Sequence, residues 1–83
     1  MPEQWEVQIH RKVNDVVYAL PPHLVATLHE AIQSLQTNPY PPGARQMGSQ
    51  PDLYEVFVGL HRIVYQVDKE ENVVRVVRIH TAD

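Results

Sequence analysis

Residues Leu53–Val67 read LYEVFVGLHRIVYQV. Two apolar runs, each broken by polar residues, meet at Gly59: Leu53, Tyr54, Val56 and Val58 precede it, and Ile63, Val64, Tyr65 and Val67 follow. Runs of this length, rich in Val, Ile and Tyr, suit the pleated surface of a sheet, and a glycine between them marks a tight antiparallel turn. One cation, Arg62, sits inside the second run. An arginine there either lays its stem along an edge or presents its guanidinium on a working face.

Outward from this hairpin the pattern changes on both sides. Upstream, Pro39–Asp52 (PYPPGARQMGSQPD) holds four of the seven prolines and two of the three glycines. It reads as an irregular connection, and connections of that length are often functional or mobile. Before it, His23–Thr37 carries Leu24, Leu28, Ile32 and Leu35, with Ala31, as one helical stripe, while Thr27, Glu30, Gln33 and Ser34 lie off it. Asn38 ends the helix because a residue before proline avoids the α region. Arg11–Leu20 spaces Val13, Val16, Val17 and Leu20 three to four apart, which suits a shorter helix. Pro21 and Pro22 close it and fit the first turn of the next, where a missing N–H costs nothing. Trp5–His10 alternates apolar and polar residues as a half-buried strand does. Downstream, Asp68–Asn72 (DKEEN) is a charged turn and Val73–Ile79 (VVRVVRI) a last strand.

The order β-α-α-β-β-β predicts an α+β fold of one domain over residues 1–83. An N-terminal strand leads into a two-helix hairpin and then a three-stranded antiparallel meander, with the helices on one face of a single sheet. The other face is left for a partner, or for a second copy of the chain in a homodimer.

Composition narrows the chemistry. The 83 residues are 43% hydrophobic, carry a net charge of −3 and contain no cysteine. That excludes a disulfide framework, a thiolate metal site and a cysteine nucleophile. The acidic balance gives no bulk support to phosphate binding, yet local potential depends on where the cations sit. The segment MPEQWEVQIH lacks a basic leader and an apolar core, and no run approaches membrane-spanning length. The expectation is a soluble cytoplasmic protein without membrane contact. The histidines at 10, 23, 29, 61 and 80 show no ligand spacing, and no phosphate-cradling glycine motif is present, so neither metal nor cofactor is expected.

In order and spacing, the phrases VQIHRKV, AIQSLQTNP, PPGARQMG, LYEVFVG, HRIVYQVD and VVRVVRI resemble the RelE/ParE superfamily of bacterial type II toxin–antitoxin toxins. The likeness runs from about Trp5 to Ile79. It implies a toxin held inactive by a cognate antitoxin. It also implies one of two targets: RelE-like members cut mRNA in the ribosome without metal, whereas ParE-like members inhibit DNA gyrase and are not nucleases. Fold does not choose between them, and a catalytically silent toxin fold acting by protein binding belongs with the second.

Metal-free RNA cleavage needs a base for the 2′-hydroxyl, cations for the pentavalent phosphate and an acid for the leaving oxygen. By resemblance, Arg62 matches the third-strand arginine of the nucleases. Arg45 falls where the loop cations stand, and Phe57 occupies a position that is often basic. The C-terminal basic residue of the family would fall near Thr81 or Ala82, and its tyrosine beyond Asp83. Arg78 and His80 are the nearest substitutes. The candidate catalytic set is therefore Arg62, Arg45, Arg78 and His80, with Glu55 and Phe57 on the antitoxin or substrate face. Glu55 is also expected to pair with Arg62 across the hairpin, and His61 to point to the opposite face of the sheet.

Overall fold

Gly59 opens the turn of the central hairpin with a φ of 62°. In the computed structural model, which describes residues 4–81, Val58 faces His61 across a two-residue turn. A positive φ at the first central residue and not at the second is the pattern of a type II′ turn, whose twist matches that of the flanking strands. The strands it joins are β3 (Leu53–Val58) and β4 (His61–Asp68). The remaining elements are β1 (Glu6–Ile9), α1 (Arg11–Tyr18), α2 (Pro22–Ser34), β2 (Arg45–Gln46) and β5 (Val73–Thr81).

The strands form one sheet in the order β1-β5-β4-β3-β2. All neighbours are antiparallel except β1, which runs parallel to β5, with Val7 beside Val74 and Ile9 beside Val76. The first strand therefore lies against the last, a closure that no local pattern announces. The α+β architecture follows the expected order, and several element boundaries move. His10, read as a strand residue, instead caps α1: its Nδ1 accepts a hydrogen bond from the Lys12 amide at 3.1 Å. Helix α1 stops at Tyr18, and Val16 is exposed rather than part of the buried stripe. Helix α2 spans Pro22–Ser34, with Pro22 in its first turn. The proline-rich connection is not wholly irregular, because two of its residues pair with β3 as β2.

Both helices pack on one face. Val13 and Val17 of α1, and Leu28 and Ile32 of α2 with Leu35, meet Ile63, Tyr65, Val67, Val74, Val76 and Ile79 of the sheet. Tyr65 ties this core to the connection after α2. Fully buried, it donates its hydroxyl to the Pro39 carbonyl at 2.7 Å. Its ring stacks on Tyr54 with centroids 6.1 Å apart, and Tyr54 meets the edge of Tyr40 at 5.1 Å. Burial, reinforced by Tyr40 and Tyr54, pushes the Tyr65 hydroxyl up to about 12. These three tyrosines anchor the chain at Pro39 and Tyr40 and so help lead residues 45–46 back to the edge of β3.

Candidate functional site

Side chains alternate across a strand, so the residues between the core positions must face away from the helices. On β4 these are Arg62, Val64, Gln66 and Asp68, and on β3 they include Glu55 and Phe57. On β5 strict alternation would fail to deliver the same result. Val74 and Val76 face the core, and so does Ile79, three residues later. The register explains this: Tyr65 pairs with Val76 but Val64 pairs with Arg78, which leaves Val77 as an extra residue in a β-bulge. The bulge resets the alternation and turns Arg78 and His80 to the open face beside β4.

The six residues singled out from the sequence are thus brought onto one surface. In one row across the sheet stand Arg45, Glu55, Val64 and Arg78; in the next stand Phe57, Arg62 and His80. Arg45, read as a loop residue, is a strand residue paired directly with Glu55. His80, which lay past the expected end of the last strand, is within β5 and is the register partner of Arg62. His61 takes the opposite face as expected, near Leu24 and Thr27 of α2, with a buried Nδ1 that has no hydrogen-bond partner. Thr81 ends β5, but its side chain and Ala82, where the terminal basic residue would fall, lie outside what the structure describes.

Glu55 is the hub. Its side chain is 13% exposed, with Arg45 Nη2 2.8 Å from Oε2 and Arg62 Nε 2.8 Å from Oε1. The buried Nε–H of Arg62 is not aimed along its contact, so the pair is a close charge contact without a well-directed hydrogen bond. Elsewhere the Arg62 guanidinium reaches only the Met47 sulfur, 3.8 Å from Nη2. A thioether is a weak acceptor. The carboxylate therefore holds Arg62 by one side and leaves its Nη groups without an oxygen partner among the described residues. Met47 belongs to the site by this contact, and nothing in its sequence context distinguished it.

Arg75, on the same face of β5, is committed elsewhere. Its Nη1 lies 3.1 Å from Asp68 Oδ2. The Glu71 amide, and then the Arg75 guanidinium, hold the Asp68 carboxyl below the usual range. The open face carries four of the chain's seven Lys and Arg residues, namely Arg45, Arg62, Arg75 and Arg78. The same face carries Glu55 and Asp68, each paired with arginine, and Glu6 of β1, so its charge is nearly balanced and the cations count by their position rather than by an excess. Among the described residues no group of three or more His, Asp or Glu side chains could hold a metal ion. No helix among them is long and apolar enough to cross a membrane.

A family profile described as ParE toxin of type II toxin–antitoxin system, parDE, matches residues 7–83. The chain belongs to the ParE toxin family. Solved structures similar to this ParE-family toxin come from RelE proteins. The RelE–RelB complex of Pyrococcus horikoshii superposes with a TM-score of 0.84 at 22% identity, covering 94% of each chain. The isolated Escherichia coli RelE toxin gives 0.81 at 21% identity, over 95% of this chain and 85% of that one. The RelBE2 complex of Mycobacterium tuberculosis gives 0.82 at 18% identity, over 95% and 92%. Against curated protein sequences the chain finds no significant match. The toxin thus has the RelE/ParE fold, and its six candidate residues form the open side of that fold.

Proposed function

We propose that this ParE-family toxin is a RelE-like endoribonuclease that cuts mRNA on the ribosome without a metal, and that a cognate antitoxin covers its open face. The observation that carries the reading is the assembly around Arg62. Its guanidinium is held from one side by Glu55, has no oxygen partner at its Nη groups among the described residues, and lies between Phe57 and His80 on the neighbouring strands. A non-bridging phosphate oxygen pair fits a guanidinium presented in this way. Arg45 and Arg78 flank it and add charge stabilisation where negative charge grows in the transition state.

The reaction has the 2′-oxygen attack phosphorus while the bond to the 5′-oxygen breaks, giving a 2′,3′-cyclic phosphate and a 5′-hydroxyl. The 2′ proton must leave and the 5′-oxygen must gain one. His80, the side chain opposite Arg62, carries an imidazole that can take up or give a proton at a ring nitrogen. Glu55 positions Arg62 and Arg45. The RelB partners in similar structures support an antitoxin for this toxin as well.

In a translating extract, the wild-type protein should cut the message within its reading frame, and Arg62→Ala should leave it intact. Intact transcripts with wild-type protein overturn the reading. The family match itself favours a second reading, in which the same face binds DNA gyrase. Loss of supercoiling activity with messages left whole would establish that alternative. Expression together with the neighbouring small reading frame should yield a stable complex under either target.

A further inference from the structure

Phe57 is the only phenylalanine in the chain, and it is 54% exposed on the open face. Its surroundings there are polar. Arg62 is its register partner, Glu55 lies two residues before it on the same face, and His80 stands on the far side of Arg62. Val64, the apolar residue in the adjoining row, is already 5% exposed and offers nothing further to bury. Leu60, the other exposed apolar residue of the hairpin, lies with Leu24, Thr27 and His61 on the helix side, so among the described residues Phe57 has no exposed apolar neighbour on the open face with which to form a patch that a partner's helix or a second copy would seal. A ring standing beside a guanidinium is instead the arrangement by which proteins hold single strands, with a base on the ring and its phosphate on the guanidinium.

We propose that Phe57 is a stacking platform for a nucleobase of single-stranded RNA, set beside the phosphate position at Arg62. The inference rests on the RNA reading of this face and adds to it how the strand is oriented. Facing residues of an antiparallel pair have Cβ atoms about 5 Å apart, a spacing that one ribose can bridge between base and phosphate. Arg45 and Arg78 on the flanking strands then lie along the path of the backbone. A phenyl ring carries no hydrogen-bonding group, so the platform accepts every base and favours purines modestly through their larger stacking area.

A single phenylalanine gives a single set of ring signals, so the full-length protein with labelled phenylalanine reports on this site alone. Titration with a short 2′-O-methyl RNA, which cannot be cleaved, should move these signals upfield. Phe57→Leu should weaken binding by about 10- to 100-fold while Phe57→Trp preserves it. Ring signals that stay in place at saturation, or equal affinity in the leucine variant, overturn the platform. So does a leucine variant that keeps its RNA affinity but loses its antitoxin, which would assign the ring to a protein partner. Message cleavage is scored separately. A protein that stacks the oligonucleotide without cutting messages keeps the platform and removes the nuclease reading. One that cuts equally well with Phe or Leu at this position keeps the nuclease and removes the platform.

Discussion

At the scale of single residues, Glu55 and Tyr65 make opposite demands on their surroundings. Glu55 is nearly buried and touches two arginines of unequal exposure: the Arg45 side chain is 71% exposed and that of Arg62 35%. Solvent screens the first contact far more than the second. Arg45→Ala should therefore cost under about 1 kcal/mol, whereas Glu55→Ala, which leaves a half-buried guanidinium without its counter-charge, should cost about 2–3 kcal/mol. Urea unfolding of both variants checks the ranking, and equal losses would contradict it. Tyr65 is held neutral. Its folded value, raised above the ordinary one near 10, means that its contribution is complete below pH 10 and is lost as pH rises through about 12. Tyr65→Phe should be about 1–2 kcal/mol less stable at pH 7, because the buried Pro39 carbonyl loses its donor. The gap to wild type should narrow between pH 10 and 12, and a constant gap across that window would refute the assignment.

At the scale of elements, the decisive irregularity is the bulge at Val77. Strand residues after it face the way they do because one extra position intervenes. Deleting Val77 would turn Arg78 and His80 toward the helices and Ile79 toward solvent. The deletion should abolish a cooperative thermal transition. Val77→Thr, at a position 42% exposed, should stay within about 0.5 kcal/mol of wild type. Circular dichroism melts of the two variants separate a register requirement from a mere packing one. The bulge also marks how far the sequence could be read. The central hairpin, the α2 stripe and the site face on β3 and β4 were legible because period-2 and period-3.6 patterns express burial directly. Arg78 was found through resemblance and not through periodicity, since a bulge breaks the alternation that would have located it. The pairing of Arg45 with Glu55 was hidden because a strand of two residues is too short to show a period. His10 looked like the end of a strand because a helix cap has extended backbone angles.

At the scale of the whole molecule, the fold is small and its core draws on both helices and on β1, β3, β4 and β5. A domain of this size buries a limited share of its surface, so a bound partner that prefers the folded state adds materially to its stability. The order of the strands has a further consequence in time. β5 is the last strand among the described residues, yet it lies inside the sheet between β1 and β4. It supplies Val74, Val76 and Ile79 to the core and Arg78 and His80 to the open face. Until it emerges during synthesis, β1 has no neighbour to pair with, and the helices lack part of the surface they cover. Contacts between chain ends form late and slowly. Nascent chains arrested with residues 1–72 outside the ribosome should be digested rapidly by protease, and chains extended past residue 81 should resist. Equal resistance at both lengths would show that the first 72 residues fold alone. A toxin built in this way is inert while it is being made, and any antitoxin already present has the whole of that interval in which to meet it.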